Sequence, residues 1–352
     1  MSKKTSGKIL SLVFLIAIFL TAIIFNSQKP RVMILHSYHS DYAWTREIDV
    51  GFERVLKKWV GYSVVRHYMD TKKHKDKEWL RRSGIIARRA IDRAEPHVLI
   101  AVDDFAQSLA AKYYVNKPGI QIVFAGVNGS VEPYGYNGAD NVTGIFERKQ
   151  LRPIKETVLA LEARKRKIAG TENHLSPKLL YLMDPSASIK RGKPFIDNYD
   201  WSPVKYRGAV IAENYPHWKQ LVLEKGKEVD YILISNYRKI PHSETDDKFM
   251  NPKEVMAWTE ENSPVPVIGI NAFNVEDGAM LSVGVSPYEQ GEVAAKLAQR
   301  ILEEGIKARD IPFMKNKMYV IAMNENLLVK RNLSLPSIYE AFGRATENFI
   351  EK

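Results

Sequence analysis

The chain has 352 residues, of which 45% are hydrophobic and 26% charged, with a formal net charge of +11. That is the composition of an ordinary globular protein, too long for a typical single core, so two lobes are expected. Cysteine is absent, which excludes disulfide frameworks, thiolate catalysis and cysteine-based metal sites.

Lys3, Lys4 and Lys8 precede an uncharged apolar run from Ile9 to Phe25. Signal peptides and signal anchors share this pattern. The run spans roughly 25 Å as a helix, just short of a bilayer core. Asn26 to Pro30 offers no small-x-small processing site, and the reading favours an uncleaved anchor over a cleaved signal. With the positive end inside, the body faces the periplasm.

Residues 31–146 read as the first lobe. Val32–Leu35 is a short buried strand ending at His36, and Ile48 to Trp59 is helical, with Ile48, Phe52, Val55 and Trp59 on one face. Tyr62–Tyr68 is a second strand. Trp79–Arg93 is a helix with Ile85, Ile86 and Ile91 inward and arginines outward. Val98–Val102 is a third strand, and Asp103-Asp104 is expected to cap a helix from Phe105 to Tyr114, with Asp104 and Gln107 spaced as a capping box. Gln121–Ala125 is a β-branched and aromatic strand stopped by Gly126-Val127-Asn128-Gly129. Asn141–Ile145 follows as a short strand. This alternation predicts a doubly wound parallel sheet.

Residues 147–285 repeat the plan. Ile154–Ala163 is a helix, and Arg164 to Pro177 reads as a basic polar insertion. Strands are expected at Leu179–Met183, Ala209–Ala212, Tyr231–Ile234, Val265–Ile270 and Met280–Val285, with a helix around Glu254–Glu261. Ser286-Pro287-Tyr288-Glu289 is a helix start, with an N-cap serine, proline at the first position and glutamate three residues on. Val293, Leu297 and Ile301 line that helix, and Gly305 can end it. From Ser337 the tail reads as an amphipathic helix with Ile338, Phe342, Ala345 and Phe349 on one face.

Four stretches carry a family resemblance: LHSYHSDYAWT (Leu35–Thr45), AVDDFA (Ala101–Ala106), FAGVN followed by NVTGI (Phe124–Asn128, Asn141–Ile145), and DGAMLSVGVSPYEQG (Asp277–Gly291). In this order they resemble the ABC-transporter substrate-binding proteins, of type I periplasmic binding protein fold. The HSYH and DDFA forms look most like the branch also used as extracytoplasmic sensor domains. The resemblance implies two doubly wound parallel α/β lobes joined by three crossings, near Ile145–Arg148, Val285–Pro287 and Ile311–Phe313. The lobes would be residues 31–146 with 286–312, and 147–285 with 313–336. The strand Met318–Met323 returns to the second lobe, and residues 337–352 form the tail. Many such proteins are anchored by a lipidated cysteine, which this sequence lacks.

Ligands of open α/β sheets bind beyond the carboxyl ends of the strands. Applied to both lobes, the rule selects His36, Tyr38, Tyr42, Trp44, Asp103, Asp104, Asn128 and Phe146, then Asp184, Ser186, Asn214, Asn236, Tyr237, Asn271 and Phe273. Aromatic rings supply stacking area, and amide, hydroxyl and carboxylate groups fix orientation. Each has a plainer reading as well: Asp104 as an N-cap, Trp44 as core, Asn128 and Asn271 as turn residues. The paired carboxylates Asp103 and Asp104 point to a ligand hydroxyl or cationic amine, flanked by Tyr38, Tyr42 or Trp44. A carboxylate about 4 Å from an unpaired Asp would meet about 4 kcal/mol of repulsion at an effective dielectric near 20. A helix dipole offers only about 0.3–1 kcal/mol in return.

Competing chemistry is thin. His36 and His39 lack a carboxylate partner in the sequence pattern, so no metal is expected. Ser202 and Lys205 make a chance Ser-x-x-Lys, and no G-x-S-x-G, Walker A loop or Rossmann fingerprint marks an enzyme or a cofactor. The basic helix near residues 81–93 reads as solvated surface, with attraction to anionic lipid heads in reach, and nucleic acid is not an expected partner. The resulting expectation is a non-enzymatic periplasmic binding component that closes on a small polar molecule and delivers it to an ABC permease. The alternative is a sensor reporting to a membrane histidine kinase or diguanylate cyclase; no such signalling domain follows in this sequence.

Overall fold

A computed structural model describes residues 3–58, 61–74, 76–170, 176–346 and 348–351. The chain divides into two compact units. One comprises residues 1–126, 131–145 and 291–313; the other comprises 127–130, 146–290 and 314–352.

In the first unit the strands run β5-β4-β3-β1-β2: β1 (Arg31–His36), β2 (Ser63–Tyr68), β3 (Val98–Val102), β4 (Gln121–Val127) and β5 (Val142–Phe146). β1 pairs in parallel with β2 and β3, and β3 with β4. Strands buried on both faces carry unbroken apolar runs, as in Val98–Val102, where every residue is buried. The helix α1 (Lys3–Gln28) precedes this sheet, and α2 (Ala43–Leu56), α3 (Lys77–Ala94) and α4 (Asp103–Leu109) accompany it. The core joins Val32, Ile34, Ile48, Phe52, Ile100 and Val123 to Ala294, Ala298, Ile301 and Ile311 from the last segment of the unit.

Several expectations needed correction. α2 begins five residues earlier than Ile48, and Trp59 lies outside the described residues. On α3, Ile86 is exposed while Ser83, Gly84 and Ala87 face inward, because Gly84 packs beside Leu109 with no room for a Cβ. The capping box at Asp104 does not form. The N-cap is Val102 without a side-chain hydrogen bond, and Gln107 instead donates to Ala101 O (2.7 Å) and accepts from Tyr136 Oη (2.7 Å).

The second unit is a seven-stranded sheet in the order β13-β12-β10-β9-β8-β6-β7. Its strands are β6 (Lys178–Met183), β7 (Lys205–Ile211), β8 (Tyr231–Ile234), β9 (Val267–Gly269), β10 (Leu281–Val285), β12 (Tyr319–Asn324) and β13 (Phe349–Ile350); the two-residue β11 (Met314–Lys315) precedes β12. Neighbours in the seven-stranded sheet pair in parallel except β10 with β12, which are antiparallel. Its helices are α5 (Leu151–Ala169), α6 (Ala187–Asp197), α7 (Tyr215–Gly226), α8 (Pro252–Asn262), α9 (Phe273–Glu276), α11 (Glu325–Lys330) and α12 (Ser337–Ala345), and α10 (Pro287–Glu303) runs from this unit into the first.

The basic stretch from Arg164 is not an insertion, since α5 continues to Ala169 and Arg166 pairs with Glu162 one turn back (2.6 Å). Residues 171–175 lie outside the description. The tail is not one helix: α12 ends at Ala345, and Phe349 sits in β13, bonded beside Met323 of β12. Ile338, placed on its apolar face, is exposed. At the start of α10, Ser286 Oγ does accept from Glu289 N (3.3 Å). The Glu289 carboxylate, however, takes the amides of Lys317 and Met318 rather than closing the box.

Candidate functional site

In the first unit, β1 and β3 end side by side, pinned by Ser37. Its hydroxyl donates to Val102 O (2.6 Å) and accepts from Ala106 N (2.7 Å). Asp103 follows β3 with φ 65°, a left-handed conformation that is costly for any residue with a Cβ. Gly126 sits against it: an added Cβ would lie 2.8 Å from Asp103 Oδ1. That carboxylate accepts from Trp44 Nε1 (3.0 Å), and Asp104 accepts from Tyr134 Oη (2.8 Å). The two acids of the expected ligand corner are therefore gripped by aromatic donors of the same unit.

His36 is spent on structure. It is 1% exposed, with Nε2 at 3.1 Å from Asp49 Oδ1 and its ring stacked on Tyr68 at 5.1 Å. Asp49 also receives Arg66 Nε (3.2 Å) and Tyr68 Oη (3.2 Å). Burial by itself would raise the Asp49 carboxyl, but His36 and Arg66 outweigh it and hold the group below the usual carboxylate range. Burial, with Asp49 adding to it, pushes the Tyr68 phenol up to about 12. The carboxylate partner not evident for His36 in the sequence is thus Asp49, thirteen residues on.

Tyr38 and Tyr42 stand together half-buried, edge to face at 5.4 Å. Between them is a group that the sequence reading missed. Lys72 Nζ lies 4.1 Å from the Tyr38 ring centre and 3.8 Å from that of Tyr42.

In the second unit, the strand ends hold a second set of polar groups. Asp184 is fully buried, accepting from the Ser186 amide and hydroxyl and from Lys239 N. Asn214 caps α7 by accepting from His217 N (3.0 Å). Tyr237 is fully buried and donates to Asp277 (2.8 Å); burial, with Asp277 beside it, pushes its phenol well up. Asp184, Asn214 and Tyr237 therefore hold loops and caps. Asn236, half-buried, accepts from Arg238 N (3.3 Å).

Phe273 and Asn271 remain nearer the surface. Arg238 lies over the Phe273 ring at 4.1 Å while bonded to Asp277 (2.9 Å). Asn271 accepts from Lys149 Nζ (2.8 Å), and Lys149 reaches Glu147 (3.4 Å), which in turn accepts from Asn128 (3.0 Å). Arg148 donates to the carbonyls of Val127, Asn128, Glu147 and Gly129 and covers the Phe146 ring at 4.2 Å. Asn128 and Asn271, far apart in sequence, thus belong to one network through Glu147 and Lys149. Tyr38, Tyr42, Phe146 and Phe273 each carry a basic side chain on a ring face.

Residues 242–339 match the sequence profile of a family described as ABC transporter substrate binding protein. That match covers 98 of the chain's 352 residues. No curated protein matches the chain by sequence. Among solved structures, a conserved domain protein from Vibrio cholerae is 16% identical over 90% of this chain and 98% of its own, with a TM-score of 0.59. An ABC domain from Streptococcus pneumoniae in complex with L-Trp is 12% identical over 90% and 98%, TM-score 0.59. A ligand-free, open substrate binding protein with adhesive properties from Clostridium difficile is 16% identical over 92% and 99%, TM-score 0.61. The fold is that of the type I periplasmic binding proteins, with two parallel-sheet α/β lobes.

Proposed function

We propose that this protein is the extracytoplasmic binding component of an ABC uptake system, holding a small polar molecule between its two lobes by hinge closure. The profile match over residues 242–339 carries the reading. The half-buried groups Tyr38, Tyr42, Trp44, Asn271 and Phe273 are the proposed ligand contacts, with Asp103 and Asp104 orienting from the first unit. Ligand would favour the closed state by its differential affinity for it. A thermal-shift screen of amino acids, amines, sugars and nucleosides tests this, since a ligand at 100 times its dissociation constant adds about 2.7 kcal/mol. The ligand found should also lower the radius of gyration in small-angle scattering. An unchanged radius at saturation would count against closure.

We also infer that α1 tethers the protein to the inner membrane. Among the described residues no helix is long and apolar enough to cross a membrane. Yet eleven large apolar side chains between Leu12 and Phe25 are at least half exposed, a surface that water does not favour. Local thinning of the bilayer offsets a shortfall of a few Å at modest cost. The full-length protein should sediment with membranes and keep its N-terminus. A mature form starting near residue 27 to 31 and released by osmotic shock would sink the tether.

A further inference from the structure

The loop after β2 is latched to the loop after β1. Met69 N donates to His36 O (3.0 Å), Thr71 N to Ser37 O (3.1 Å) and Thr71 Oγ1 to the same carbonyl (2.7 Å). Asp70, between them, is held in the left-handed region at φ 54°, and Asp103 at φ 65° is a second such residue among the strand ends of this unit. Strain of this kind persists where surrounding structure over-determines it, and it clusters at ligand clamps. The latch fixes Lys72 opposite Tyr38 and Tyr42. Its ammonium lies on both ring faces, at 4.1 and 3.8 Å, and donates to Tyr42 Oη. His39 packs against Tyr42, its ring 5.5 Å away. Two aromatic faces around one ammonium is an arrangement that recognises alkylammonium ligands.

We propose that the Tyr38–Tyr42 pair is an ammonium-binding cage, that Lys72 is its built-in placeholder, and that the ligand presents an alkylammonium group which displaces it. This deepens the binding-protein reading and rests on it. The charges nearby agree. Asp41 lies 3.8 Å from His39 and 3.0 Å from Lys73, and Asp103 is tied to Trp44, two residues beyond Tyr42. Exchanging one ammonium for another preserves that balance, whereas an anion entering beside Lys72 would face these carboxylates. A tethered competitor also sets a threshold, because only a ligand that outbids Lys72 opens the cage.

The test is calorimetric titration of the full-length protein in detergent with tetramethylammonium chloride, and with sodium acetate for comparison. Lys72→Ala empties the cage and should bind tetramethylammonium at least tenfold more tightly than wild type. Adding Tyr42→Leu should remove the gain, and acetate should behave alike in all three. Lys72→Gln serves as a second variant if the alanine protein melts early. A folded Lys72 variant with no gain, or loss of acetate binding on removing Lys72, overturns the proposal. A gain for tetramethylammonium without compaction in scattering keeps the cage and defeats the closure reading. Compaction of wild type by a ligand without an ammonium group, with no gain in the Lys72 variants, does the reverse.

Discussion

Arg331→Met is expected to destabilise the second unit by about 3–5 kcal/mol, the cost of stranding a buried charge. Arg331 reaches the Glu260 carboxylate at 3.2 Å and also bonds the carbonyls of Glu260 and Ser263. Glu260 is 8% exposed and its other oxygen accepts Met280 N at 2.6 Å, at the edge of β10. Burial raises the Glu260 carboxyl above its ordinary range, while Arg331 pulls it back. A carboxyl raised in the folded state adds stability below its unfolded value and loses that contribution as pH rises through the folded value. Without Arg331 the rise is larger, so the deficit against wild type should be smallest near pH 4 and widest at neutral pH. Urea unfolding at both pH values reads this directly. Glu260→Gln in the Arg331→Met background should restore much of the loss and flatten its pH dependence. A deficit of equal size at both pH values would show that packing, and not charge, holds this corner.

Gly291→Ala is expected to cost about 3 kcal/mol, at the upper end for overpacking. A Cβ built at Gly291 would stand 2.0 Å from Ile48 O and 2.9 Å from Phe52 N, so α10 and α2 touch backbone to backbone. Neither backbone can yield without parting the helices and opening the core around Phe52 and Ala294. Gly61→Ala is the control, since its methyl meets nothing within 4 Å, and it should stay within about 0.5 kcal/mol of wild type. Equal melting of the two variants would mean that the helices can separate freely.

The strands were legible because their burial on both faces leaves apolar runs with little ambiguity. Tyr231–Ile234 matches its expected bounds to the residue, and Val98–Val102 does too. Errors arose where a charge or a proline disguised a helix. Arg164–Lys167 reads as loop by composition, but Arg166 pairs with Glu162 one turn back within α5, and α6 carries Pro194 in its interior. Phe349 fitted the helical face of the tail by spacing, but the partner that captures it, Met323, is not visible to periodicity. For the candidate site, the strand-end rule selects Tyr38, Tyr42 and Phe273, whose rings carry cations in the structure, but not Lys72 and Arg238, because a cation over a ring leaves no local pattern. Lys72 is thirty residues from Tyr42, and only the latch between two loops brings them together.

Each unit is assembled from three separate stretches of chain, and this fixes the order in which the molecule can become whole. The first unit needs Ala294, Ala298, Ile301 and Ile311 to close its core. Its opening 126 residues therefore leave apolar surface uncovered until residue 313 has been made. The second unit in turn waits for Tyr319–Asn324 to complete its sheet. Contacts of such long sequence separation fold slowly, because loop-closure entropy is lost before they form. A polypeptide that cannot finish either half early stays threadable for most of its synthesis, which would suit the extracytoplasmic placement proposed above.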